Sequence, residues 1–175
     1  MNVDQMTLRD LCSHEAIRQC LYRYCRGIDR PDPVMIESCY WPEAIDDRSP
    51  MYRGPVKGWI EHIMHVVQNW ARFKHTLSNT LIELDGDSAR TESYYTAYHR
   101  VRVGPMEWKD EFLSGRFLDR FECRNGEWRI IARQAPIDWF RVEAGQDPEE
   151  KGFRNRPYGG GPSDPSFRLF PLERG

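Results

Sequence analysis

No stretch of this 175-residue chain is apolar for long enough to cross a bilayer, and its mean hydropathy is −0.74. The amino terminus lacks a basic segment followed by an apolar run, so no export signal is expected there. An excess of one charge is missing too. With 25 Lys and Arg against 27 Asp and Glu, the formal net charge is −2, which gives no global field for nucleic acid or an anionic membrane surface. The five cysteines, Cys12, Cys20, Cys25, Cys39 and Cys123, are odd in number and form no CxxC pair or zinc-like spacing. Reduced thiols and a cytoplasmic location are the resulting expectations. His62 and His65 make an HxxH on a helix, but no third ligand stands in an identifiable pattern, so rim or solvated histidines are expected and no metal.

Aromatic residues, by contrast, are plentiful. Six Trp, eight Tyr and eight Phe are many for so polar a chain, and such rings line cavities as well as fill cores. The length suits a single domain with a sizeable core. Its central stretch is Phe73-Lys74-His75-Thr76-Leu77-Ser78-Asn79-Thr80-Leu81. Phe73, His75, Leu77, Asn79 and Leu81 share one parity, the alternation of a strand with one buried face, so His75 and Asn79 are expected to point inward. An inward histidine is either held by a structural hydrogen bond or used as a proton carrier.

Three helices precede that strand. The first is expected to begin near Thr7, where Thr7-Leu8-Arg9-Asp10 reads as a capping box, with a possible restart at Ser13. Leu8, Leu11, Ile17, Leu21, Tyr24 and Ile28 supply its apolar stripe, and Pro31 and Pro33 forbid its continuation beyond Asp29. A carboxylate at a helix C-terminus opposes the helix dipole, so an inward Asp29 needs a cationic or hydrogen-bonding partner. A short second helix is expected over 33–40, then a turn into a short strand. A third is expected from Pro55 to about Ala71, with Trp59, Ile63, Val66, Val67 and Trp70 as its apolar side.

Two long hairpins follow, with turns at Asp85-Gly86-Asp87 and Asn125-Gly126, the second returning unbroken from Glu127 to about Val142. Helices followed by long antiparallel strands predict an α+β fold: a curved antiparallel sheet with about three helices packed against its concave face. The domain is expected to span residues 1–144. A Pro/Gly-rich tail, 145–175, is either disordered or an aromatic-bearing arm that covers the cavity mouth or docks on a neighbouring subunit.

Five stretches in this order carry a resemblance: 24–32 (YCRGIDRPD), 40–44 (YWPEA), 74–79 (KHTLSN), 85–89 (DGDSA), and 126–130 (GEWRI) running through Arg133 to Asp138-Trp139. Together they resemble the SnoaL-like branch of the NTF2-like superfamily over about residues 7–142. That resemblance implies a cone-shaped fold around an apolar cavity, and members that include dehydratases, a dehydrochlorinase, cyclases, deformylating lyases and noncatalytic dioxygenase small subunits.

The resemblance also implies site residues. Asp29 and His75 match the Asp–His pair with which dehydratase and dehydrochlorinase members remove a proton, and Arg133 matches an arginine near the leaving group. His99 lies where a second site histidine occurs. Tyr24 departs from a lysine, which argues against the same dehalogenation. Tyr24, Asn79, Tyr95, His99, Phe117 and Trp139 are the expected substrate-binding residues. The implied activity is a lyase without cofactor that dehydrates or deformylates a hydroxylated aromatic or polycyclic compound. A cyclase or steroid-type isomerase, a noncatalytic subunit and a ligand-binding module are the alternatives. Self-association as a dimer or trimer is implied as well.

Overall fold

The computed structural model describes residues 6–145 and 164–169. Helix α1 (Leu8–Asp29) starts at the expected capping box: the Thr7 hydroxyl accepts from the Asp10 N–H, and the Asp10 carboxylate accepts from the Thr7 N–H. It runs without a restart at Ser13. Its buried stripe is Ile17, Cys20, Leu21, Tyr24, Cys25 and Ile28, whereas Leu8 and Leu11 belong to an exposed first turn. Gly27 lets α1 lie against α2 (Pro33–Glu37), because a Cβ there would come within 2.7 Å of Ile36 Cγ1. Helix α2 is capped by the Asp32 carboxylate and stops sooner than expected, giving way to strand β1 (Tyr40–Arg48) and β2 (Tyr52–Pro55).

Helix α3 (Val56–Val66) ends in a 3₁₀ turn, Val67–Asn69, so Trp70 opens the long strand β3 (Trp70–Asp85) instead of closing a helix. Strands β4 (Ser88–Gly104), β5 (Glu107–Arg124) and β6 (Glu127–Gln134) follow, and the Asp-Gly and Asn-Gly turns place Gly86, Asn125 and Gly126 at positive φ. The second hairpin is not continuous. It breaks at Ala135-Pro136, and a separate strand β7 (Ile137–Gly145) pairs with the first half of β5 while β6 pairs with the second half. The Pro136 carbonyl turns toward β5, where it accepts from the Arg116 N–H at 3.1 Å. Gly115 makes room for it, since a Cβ there would lie 2.4 Å from that oxygen.

The sheet has the order β2-β1-β6-β5-β4-β3, with β7 off that path. Its pairs are antiparallel except β1 with β6, which is parallel. Helix α1 packs against β3 and β6, and α3 packs against β1, on the curved inner face. This is the expected α+β cone. No described helix is long and apolar enough to cross a membrane. The cysteines are free thiols, and Cys20, Cys25 and Cys39 are buried. Of the tail, 146–163 and 170–175 lie outside the described residues. A short helix α4 (Ser166–Leu169) sits by the end of α1, where Arg30 pairs with Asp164 and the Arg26 guanidinium lies over the Phe167 ring.

Candidate active site

Enclosed between the sheet and helices α1 and α3 is a cavity of about 620 Å³. Its wall is largely aromatic and aliphatic, with a few polar side chains, the composition of a small-molecule site. The polar side chains fall into two clusters.

The first cluster is built on the end of α1 and the start of β3. Asp29 is the last residue of the helix, and its carboxylate accepts from the His75 backbone N–H at 3.1 Å and lies 2.8 Å from His75 Nδ1. Two donors therefore answer the dipole problem posed by a carboxylate at a helix C-terminus. An ionised carboxylate only accepts, so Nδ1 is the donor in this contact, and in the neutral ring Nε2 is the acceptor. Both side chains are nearly buried, at 11% exposure for His75 and 14% for Asp29. His75 lines the cavity and Asp29 stands behind it, on a groove beside Arg26 and Lys74.

His99 is cross-strand from Phe73 on β4, and its ring centre is 5.4 Å from that of His75. It lines the cavity as expected and stacks on Trp70 at 3.8 Å. Its Nδ1 is 3.6 Å from Glu111 Oε2, while Nε2 is buried without a partner among the described residues. Burial pushes the His99 pKa below its ordinary value, and the neighbouring Glu111 carboxylate offsets only part of that. Its neutral form is favoured. Tyr95 lines the cavity beyond His75, stacked 4.3 Å from Phe117, and burial raises its phenol pKa.

The second cluster holds two arginines. Arg133 is bound through two nitrogens to Asp119, each at 2.7 Å, and both side chains have no exposure. The Tyr24 and Phe117 rings cover the guanidinium at 4.2 and 4.1 Å, and Arg133 is not part of the cavity wall. The expectation that it meets a leaving group is therefore corrected: it is a core residue behind the wall. Arg48, at the end of β1, reaches the cavity instead. Its Nε and Nη2 donate to Asp46 at 2.8 and 3.3 Å, Nη2 donates to the Tyr24 hydroxyl at 2.6 Å, and the guanidinium lies 3.9 Å above Trp59. Burial lowers the Arg48 pKa, but the Asp46 carboxylate and the Tyr24 and Tyr40 phenols outweigh it and hold the group charged. The alternation Ala44, Asp46, Arg48 would have found it had β1 been extended that far.

Two further expectations are corrected. Asn79 is exposed, because β3 slips register against β4 between Leu77 and Thr80 and the inward face passes to Thr80, Ile82 and Leu84. Its amide oxygen accepts from the Ser78 hydroxyl, away from the cavity. Trp139 is half exposed on the outer face, opposite Ser114, while Ile137 and Phe140 of the same strand line the cavity. Tyr24, Tyr95, His99 and Phe117 stand in the cavity wall. Among the described residues no three His, Cys, Asp or Glu side chains are placed to hold a metal ion, and His62 stacks on Tyr52 while His65 lines the cavity.

Three solved structures share this architecture. A provisionally assigned scytalone dehydratase from Novosphingobium aromaticivorans is 18% identical, with a TM-score of 0.69 over 84% of this chain and 100% of that one. A type 2 hexachlorocyclohexane dehydrochlorinase, LinA, is 16% identical, with a TM-score of 0.72 over 82% of this chain and 99% of that one. The type 3 LinA of Novosphingobium barchaimii is 21% identical, with a TM-score of 0.69 over 79% and 94%. At such identities the likeness concerns the fold. No curated protein matches the chain. The SnoaL-like domain profile matches residues 9–134, from the first turn of α1 to the end of β6, and the chain belongs to the SnoaL-like domain family.

Proposed function

We propose that this protein is a lyase that acts on a hydroxylated aromatic or polycyclic small molecule by acid–base elimination, with His75 as the base. The observation that carries this reading is the 2.8 Å contact between Asp29 and His75 Nδ1 at the wall of an apolar cavity. Asp29 fixes the tautomer and ring orientation, and it stabilises the imidazolium formed when Nε2 takes a proton from the substrate. Departure of the hydroxyl as water requires a proton, which the imidazolium returns or His99 and Tyr95 relay from within the same wall. If the proton is taken from a hydroxymethyl group instead, the same base drives deformylation: the O–H electrons form the carbonyl of formaldehyde, the electrons of the breaking carbon–carbon bond form an alkene, and a hydroxyl on the adjacent carbon leaves as water with the proton the imidazolium returns. Dehydration is the simpler use of this site, because it breaks no carbon–carbon bond.

No step needs a metal ion or organic cofactor. A cavity of about 620 Å³ accommodates a two- or three-ring compound, and positioned acid–base groups contribute roughly 10² to 10⁴ in rate. Incubating the purified protein, without added cofactor, with a panel of hydroxylated diaryl and polycyclic compounds tests the reading. Product that disappears in His75→Ala supports it. Tight binding with no product across the panel, unchanged in His75→Ala, would make the chain a binding module. We also infer self-association through β7, whose outer edge pairs with no described strand and which exposes Trp139 and Val142; sedimentation velocity tests this, and a monomer at all concentrations would refute it.

A further inference from the structure

Arg48 has no part in the proton chemistry, yet it is a buried cation brought to the wall of the same cavity. Its Nε and Nη2 are committed to Asp46 and Tyr24, while Nη1 makes no hydrogen bond among the described residues. Three rings hold it in place: Trp59 at 3.9 Å, Phe117 at 5.7 Å and Tyr24 at 5.8 Å. A guanidinium so fixed offers a donor of set direction at little cost in side-chain freedom.

Charge decides what that donor accepts. Asp46 neutralises Arg48, Asp119 neutralises Arg133, and Lys109 Nζ is bound to Glu111 at 2.7 Å. His99 is biased to its neutral form by burial. Asp29 lies behind His75 on a groove it shares with Arg26, Arg30 and Lys74, so these cations stand outside the chamber that Arg48 faces. A carboxylate ligand would bring a negative charge into a largely apolar chamber, where the cation it meets is already paired with Asp46 and offsets little of the cost of desolvating it. An uncharged oxygen carries no such penalty and still receives a charge-assisted hydrogen bond.

We propose that Arg48 forms a specificity subsite for a neutral oxygen of the substrate, a ketone or other carbonyl on the ring system, separate from the hydroxyl that leaves. The inference rests on the lyase reading for the identity of the cavity as the substrate site, but its test does not require turnover. 1-Tetralone, tetralin and 1-naphthoate share a bicyclic frame and present a neutral oxygen, no oxygen and an anion. Isothermal titration calorimetry of each is run against the native protein, His75→Ala, Arg48→Met and the double variant Asp46→Asn/Arg48→Met. The double variant removes both charges of the pair together, so it remains informative if the single one leaves a buried carboxylate unpaired and fails to fold.

The native protein binds 1-tetralone about tenfold or more tighter than either companion, the scale of one hydrogen bond to a charged donor. His75→Ala keeps that order, and both Arg48 variants bring tetralone down to the affinity of tetralin. Equal binding of tetralone and tetralin, no binding of tetralone, preference for naphthoate, or a tetralone preference that survives loss of Arg48 each overturns the proposal. Loss of turnover in His75→Ala is a separate result that bears on the base alone.

Discussion

The two polar clusters of this cavity are built from opposite materials. Around Asp29, His75 and His99 the groups are two imidazoles and a carboxylate, able to take up and pass on a proton, and around Arg48 and Arg133 they are cations that stay charged, each tied to a buried carboxylate. Tyr95 and Phe117, stacked on each other, stand between His75 and the arginines, with Tyr95 6.4 Å from His75 and Phe117 4.1 Å from Arg133. On the proposed mechanism the difference separates tasks: protons would be handled at the histidines, while charge is fixed at the arginines. Either cluster can therefore be altered with a distinct signature.

The largest effect is expected at the histidine cluster. His75→Ala or Asp29→Asn lowers turnover by roughly 10² to 10⁴ while circular dichroism shows the fold intact. Next comes the arginine behind the wall. Arg133→Met leaves Asp119 buried and unpaired, and urea unfolding should show a loss of about 3–5 kcal/mol. Replacing Arg133 and Asp119 together by apolar residues should recover most of it. A single Arg133 variant that is fully stable but inactive would put Arg133 back in the chemistry.

A smaller effect comes from pH. The folded pKa of His99 lies below its ordinary 6.5, so the folded state binds fewer protons than the unfolded one as pH falls through that value. Its contribution to stability is complete above about 6.5 and is lost progressively below it. Denaturant midpoints measured from pH 8 to 5 should decline less steeply in His99→Gln than in the native protein; identical slopes would contradict this. Smallest of all, Asn79→Ala should leave turnover unchanged and stability within about 0.5 kcal/mol, and Trp139→Ala should leave turnover unchanged, since both side chains point away from the cavity.

Those last two residues mark where the sequence stops being legible. Alternation from Phe73 located His75, and the helix stop before Pro31 located Asp29, because local backbone rules govern both positions. The same alternation continues in composition through Asn79 and Leu81, but the register slip after Leu77 turns the strand over, and Leu81 is 62% exposed. A slip set by cross-strand pairing leaves no mark in the strand's own residues. Trp139 enters only through the resemblance of Asp138-Trp139, which says nothing of the Pro136 turn that starts a new strand before it. Arg133 reads as a surface or site cation because a buried arginine is only credible once its partner is known, and Asp119 is fourteen residues earlier on another strand. Arg48 is legible only once β1 is known to run on to it, past the turn-like residues at its start.

The central claim is that His75 Nε2 is the base and that Asp29 makes it one. Single-turnover kinetics across pH on a substrate from the hydroxylated panel, in native protein and in Asp29→Asn, tests this most directly. The account predicts a rate that rises with pH as one group loses its proton in the native protein, and a rate at least about a hundredfold lower in Asp29→Asn at every pH. A variant that turns over at the native rate with the native pH profile would contradict it.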